Sequence, residues 1–222
     1  MKNNSKLLEI YYCLLNKYGH RDWWPSESDF ETIIGAILTQ NVSWKNAKLA
    51  INNLKNSDYL DLYKLQEMEE KEIADLIKSS RFYNQKAKKI KVIVNFIIQN
   101  YNGNIESMSK ENIHILRIKL LNLWGFGEET VDSIILYACN LPIFVIDSYT
   151  KRIFSRLGYV NYNISYSQMQ DFFMKNLPED VYLYNDFHAQ IVHLGNICCK
   201  KQPLCKECPL EKVCNYSVEY SK

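Results

Sequence analysis

The sequence predicts an all-α protein, and three observations carry that prediction. Apolar residues recur with helical periodicity along most of the chain, only 7 glycines and 5 prolines punctuate 222 residues, and no stretch alternates apolar and polar residues as a half-buried strand would. A chain of this length makes one ordinary domain or two small ones and can bury a core without disulfide staples. Low glycine and proline content excludes collagen-like and low-complexity architectures.

The elements follow in order. Leu7–Leu15 is the first helical pattern. Ser28 and Glu31 have the spacing of a capping box, and Phe30, Ile33, Ile34, Ile37 and Leu38 then fall on one apolar face. Similar patterns cover Ala47–Leu54, Glu70–Ile77, Lys86–Ile98, Ile113–Leu123, Thr130–Cys139, Ser148–Leu157, Ser167–Asn176 and Tyr184–Ile197. Loops are expected at 19–28, 79–84, 101–107, 124–127, 140–142 and 158–165.

Glu9 interrupts the apolar stretch near the start and no small-residue cleavage site follows, so no signal peptide is expected. The longest apolar run, Ile134–Ile146, has 13 residues and contains Asn140 and Pro142. A bilayer span needs about 20. The expectation is a soluble, cytoplasmic protein with no membrane partner.

Seven cysteines are unevenly distributed. Cys13 and Cys139 sit alone in apolar helical patterns and read as core residues. Cys198, Cys205, Cys208 and Cys214 form a Cys-x6-Cys-x2-Cys-x5-Cys array in a polar segment. Four thiolates so close in sequence suit either zinc or an iron–sulfur cluster, and ligand count does not choose. Cys199, adjacent to Cys198, is expected to point elsewhere.

The formal charge is only +2, from 27 basic and 25 acidic residues, and does not by itself announce a nucleic-acid binder. It is unevenly spread. Residues 61–72 hold five acids against two lysines, whereas 81–91 hold Arg81, Lys86, Lys88, Lys89 and Lys91 and no acid. Such a run is a solvated helix face or a phosphate-contacting surface.

Two further motifs carry chemistry. In Leu123-Trp124-Gly125-Phe126-Gly127-Glu128-Glu129-Thr130 one helix ends and another begins at once, and the glycines leave amides uncovered at a helix start, suited to a phosphate oxygen or simply to a tight connection. Asp147 follows the apolar Ile143–Ile146 at a helix start. It is placed to be an N-cap, or a carboxylate that stabilises a cationic transition state or activates water.

Together, in this order and spacing, the hairpin, Asp147 and the cysteine array resemble the helix-hairpin-helix DNA glycosylases of the endonuclease III superfamily, from about residue 27 to Cys214. The resemblance implies a two-lobed fold. Residues 27–140 would form a six-helix barrel domain containing the hairpin at about 113–139. Residues 1–26 and 141–222 would form a second helical domain carrying the cluster loop at 198–214. It also implies a [4Fe–4S] cluster on Cys198, Cys205, Cys208 and Cys214, Asp147 as the catalytic carboxylate, and a hairpin gripping phosphate through Gly125, Phe126, Gly127 and Thr130. The partner would be double-stranded DNA containing a damaged base, bound by a monomer. Ile37-Leu38-Thr39-Gln40-Asn41 is similar to the family segment whose glutamine enters the base stack, so Gln40 is a wedge candidate. Arg81-Phe82-Tyr83-Asn84-Gln85-Lys86 is similar to the segment of a second, apolar wedge, here Phe82, with Lys86 as a further DNA contact.

One departure bears on mechanism. Strand-cleaving members carry a Schiff-base lysine where this chain has Glu129, and a carboxylate cannot serve as that nucleophile. The expectation is a monofunctional glycosylase. Trp23-Trp24-Pro25 and Trp44 resemble the aromatic wall of the 3-methyladenine branch, and Glu129 also fits it. Indole stacking would favour a cationic alkylated purine. The alternatives are an endonuclease III-like enzyme for oxidised pyrimidines or mismatched bases, and a non-catalytic iron–sulfur DNA-binding protein.

Overall fold

The computed structural model describes the backbone of residues 2–220 and the side chains of 6–218. Helices account for every regular element among the described residues. The chain divides into two compact units, one made of residues 24–141 and the other of residues 1–23 with 142–222.

The unit 24–141 contains α2 (Asp29–Leu38), α3 (Trp44–Asn56), α4 (Leu62–Glu67), α5 (Glu70–Leu76), α6 (Tyr83–Tyr101), α7 (Ile105–Ser109), α8 (Ile113–Leu121) and α9 (Glu128–Ser133). α9 runs directly into a π-helical stretch, Ile134–Ala138. Helix α2 is buried without interruption from Glu31 to Leu38. Ile33, Ile34, Gly35, Ala36, Ile37 and Leu38 leave it no polar face, so it lies in the middle of its unit rather than on the surface as a one-sided helix would. Its start departs from the expected reciprocal box. The Ser28 hydroxyl accepts the Glu31 amide at 3.1 Å, but the Glu31 carboxylate accepts the Glu27 amide at 2.9 Å and pairs with Lys55 at 2.8 Å.

The hairpin helices α8 and α9 are locked by charge. Arg117 donates to both oxygens of Asp132, at 2.7 and 3.0 Å, and that carboxylate is fully buried. A bidentate pair meets the geometric requirement for burying an ion, and loss of either member would leave a charge uncompensated.

The other unit contains α1 (Lys2–Tyr18), α10 (Ser148–Leu157), α11 (Tyr166–Asn176), α12 (Val181–Ile197) and α13 (Asn215–Tyr220). Its core is aromatic: Phe144 stacks on Phe173 with centroids 4.1 Å apart, and Phe154 and Phe187 meet Phe173 edge-on. Ile143–Ile146 is a fully buried non-helical segment that leads straight to the start of α10. Helices α10 and α12 approach so closely that a Cβ on Gly195 would lie 2.2 Å from the Tyr149 ring. The Tyr149 hydroxyl also donates to Asn196 at 2.7 Å.

Three short helices, α4, α7 and α13, were not expected from periodicity; α7 occupies part of a stretch read as loop, and α6 begins at Tyr83, inside another. Cys139 is buried as anticipated, but Cys13 is only half-buried, and its thiol donates to the Pro209 carbonyl at 3.3 Å. No helix among the described residues is long and apolar enough to cross a membrane.

Candidate active site

Asp147 caps α10 and does so with one oxygen. Its Oδ1 accepts both the Thr150 amide and the Thr150 hydroxyl, each at 2.7 Å. Its Oδ2 lies 3.8 Å from Nε2 of His188 on α12. Asp147 is 9% exposed. Burial holds the His188 imidazole below its usual range, and the neighbouring carboxylate partly opposes that shift. The cap thus occupies one oxygen of Asp147 and leaves the other outside it. His188 gave no sequence signal: it is one polar residue in the apolar pattern of α12.

In the unit 24–141, Gly125 has φ +81°, a conformation that disfavours any side chain, and Gly127 is the N-cap of α9 without a side-chain cap. Glu128, in the first turn of that helix, lies 3.6 Å from Arg117. Phe126 is buried and anchors the turn, so its ring is not a DNA-contacting group; only its backbone remains for that role. Thr130 is also buried, and its hydroxyl accepts from Gln40 Nε2 at 2.7 Å. Gln40 Oε1 in turn accepts from Lys89 Nζ at 2.5 Å, tying the loop after α2, the hairpin and α6 together.

Phe82 is 62% exposed and, like Arg81 before it, has a positive φ (45° and 54°). Two successive non-glycine residues in this region cost of order 1–3 kcal/mol each, a strain found typically at functional positions. Lys86 is placed otherwise than expected. It is 2% exposed, and its ammonium donates to the carbonyls of Leu38 at 2.9 Å and Ser80 at 2.5 Å. Desolvation, with a smaller contribution from Lys89, brings its pKa down to about 8. It fastens the end of α2 to the turn before α6 and cannot reach phosphate. Lys88 of the same basic run is exposed, and its ammonium lies 4.3 Å from the centroid of the exposed Trp124 ring.

Trp23, Trp24 and Pro25 lie in an irregular segment before α2, not on a helix. Trp24 packs against Gly35, where a Cβ would stand 3.0 Å from its Nε1. Its ring meets Trp44 edge-on and Tyr137 at a tilt, both with centroids 5.4 Å apart. All three rings are half-buried, and Pro25 is exposed. Tyr137, in the π-helical stretch, was missed because its spacing fits a core helix. Trp23 is half-buried; Glu129 is exposed in the first turn of α9.

Cys198, Cys205, Cys208 and Cys214 line one cavity, together with Arg156, Pro203, Glu211 and Tyr216. Cys199 lines it too, contrary to the expectation that it points away. Among the described residues no three His, Cys, Asp or Glu side chains are placed to hold a single metal ion. Two arginines of α10 fasten this loop: Arg152 donates to the carbonyls of Cys199 and Gly195, and Arg156 to those of Lys200 and Lys201.

The fold and these motifs define a helix-hairpin-helix protein of base-excision repair, and comparison with known proteins agrees. Residues 34–179 match the HhH-GPD superfamily base excision DNA repair protein family, and the chain belongs to that superfamily, whose members here are DNA glycosylases that hydrolyse N-glycosidic bonds. A Methanocaldococcus jannaschii protein assigned by name to the DNA repair glycosylases is 46% identical over 218 residues, covering 96% of this chain and 99% of its own. Endonuclease III of Thermotoga maritima is 29% identical over 188 residues, covering 84% of this chain and 83% of its own. Among solved structures, Helicobacter pylori 3-methyladenine DNA glycosylase (MagIII) bound to 1,N6-ethenoadenine matches with TM-score 0.73 and 28% identity, covering 86% of this chain and 96% of that one. An endonuclease III–DNA complex matches with TM-score 0.81 at 22% identity, covering 97% and 98%, a likeness of fold.

Proposed function

We propose that this chain is a monofunctional glycosylase that removes an alkylated purine from double-stranded DNA and leaves an abasic site. The observation that carries the substrate class is the half-buried trio Trp24, Trp44 and Tyr137, an aromatic surface for a flipped base. An N-alkylated purine is cationic and has a weakened glycosidic bond, so indole faces add attraction that a neutral base would not receive. The likeness to a 3-methyladenine glycosylase supports this choice. Glu129 at the position of the Schiff-base lysine supports hydrolysis without strand cleavage.

In this reading Asp147 acts through Oδ2. Thr150 holds Oδ1, so the carboxylate cannot rotate freely, and the second oxygen stabilises the oxocarbenium-like sugar and orients the attacking water. Phe82 and Gln40 are the wedges that fill the space left by the base, and the backbone of Gly125–Gly127 grips phosphate. The cysteine cavity fits a [4Fe–4S] cluster. Its donors are all thiols, a set that suits a cluster as well as zinc, and the likeness to endonuclease III favours the cluster. The cluster supplies folding free energy to a polar segment that has little core of its own.

The test is incubation of the purified protein with duplexes carrying single lesions, with and without later alkali. Alkali-dependent breaks at alkylated purines are expected. Breaks before alkali would overturn the monofunctional assignment, and indifference to alkylpurines the substrate. A second reading, excision of oxidised pyrimidines or mismatched bases, is favoured by the Thermotoga maritima relative, and thymine glycol and A·G duplexes in the same assay decide it.

A further inference from the structure

We infer that Cys199 is a fifth thiol ligand of the cysteine cavity, able to replace Cys198 on a bound cluster. The inference rests on the [4Fe–4S] reading above and extends it.

Three observations lead there. Cys199 lines the same cavity as Cys198, Cys205, Cys208 and Cys214. The amides of Cys198 and Cys199 both donate to the Leu194 carbonyl, at 3.0 and 2.8 Å, as α12 ends. The two thiols thus leave one turn of backbone and line one cavity. Finally, Arg156 donates from Nη1 to the Cys199 sulfur at 3.2 Å, and the same guanidinium holds the Lys200 and Lys201 carbonyls. A cationic donor fixed by backbone contacts keeps that sulfur at the cavity. Cys198 is 4% exposed, with its thiol directed to the Leu204 carbonyl at 3.1 Å, whereas Cys199 is more open to solvent.

In such an exchange the bond of a held iron to Cys198 would break as one to Cys199 formed, and the proton leaving the Cys199 thiol would be taken up by the departing Cys198 thiolate. No electron would move, and four of the five cysteines would still hold the cluster.

The experiment uses full-length protein purified without oxygen, comparing wild type with Cys198→Ala, Cys199→Ala and the double variant. Iron, sulfide and visible absorbance are measured, and each cysteine is mapped by maleimide labelling and peptide mass. Cys198→Ala is expected to keep roughly the wild-type iron content with Cys199 newly protected from maleimide, while the double variant loses more than about tenfold. Iron loss in Cys198→Ala equal to that of the double variant overturns the inference. Peroxide bleaching gives an arm that does not depend on Cys198→Ala folding: Cys199→Ala is expected to lose its cluster several-fold faster than wild type, and equal rates overturn the inference. Wild-type protein free of iron would instead overturn the cluster reading itself.

Discussion

Thr150 donates its amide and its hydroxyl to the same oxygen of Asp147, and the other oxygen of that carboxylate faces His188. One side chain thus caps the helix with one oxygen and, in the proposed function, would serve chemistry with the other. In Asp147→Asn the amide oxygen still caps α10, but the negative charge is gone. Base excision is expected to fall at least about a hundredfold, with DNA affinity and melting temperature little changed. Thr150→Val keeps the amide bond and loses the hydroxyl, costing about 1 kcal/mol of stability and a smaller share of the rate. Single-turnover excision and filter binding separate the two effects. Full excision by Asp147→Asn would remove Asp147 from the mechanism.

Lys86 gives a pH signature. Its ammonium loses its proton at about pH 8 in the folded chain, below the ordinary lysine value near 10.5. Between those values the unfolded chain binds more protons, so stability rises with pH through that window. Below pH 8 both states are protonated and the cost of burying the charge is constant. The difference in melting temperature between wild type and Lys86→Met, followed from pH 7.5 to 10.5, is expected to shift in favour of wild type. A flat difference would show that the buried amine does not titrate there.

Gly195 is required by the approach of Tyr149. Gly195→Ala is expected to cost about 1–3 kcal/mol by overpacking, read from urea unfolding. Adding Tyr149→Ala should recover part of that loss, because the clash is with the ring. Additive losses would place the strain elsewhere.

Phe82 projects from a strained, exposed turn. Phe82→Ala is expected to lower excision from a fully paired duplex about tenfold and to spare a lesion opposite a gap, where the base is already unstacked. Equal losses on both substrates would argue against a wedge.

Most of the helical order was legible because long amphipathic patterns such as Lys86–Ile98 record burial directly. The short helices α4, α7 and α13 were not, since five or six residues hold too few apolar positions to show a period. Asp147, the glycines of the hairpin and the cysteine array were visible through spacing. Lys86, Cys199, His188 and Tyr137 were misread or missed for a common reason. Each side chain's role depends on which residue distant in sequence stands opposite it, and no local pattern encodes that. Lys86 looked like part of a basic run until the Leu38 and Ser80 carbonyls were seen to enclose its ammonium.

The two arginines that tie α10 to the cysteine loop have a mechanical consequence. Asp147 stands at one end of that helix and Arg156 near the other, nine residues and roughly 13 Å apart at 1.5 Å per residue. A helix this short transmits displacement along its axis, so whatever loosens the loop also loosens the seat of the carboxylate. If Asp147 is the catalytic carboxylate, damage to the cysteines is therefore expected to lower excision from a distance. On the proposed function the loop would then work as a tensioner for Asp147.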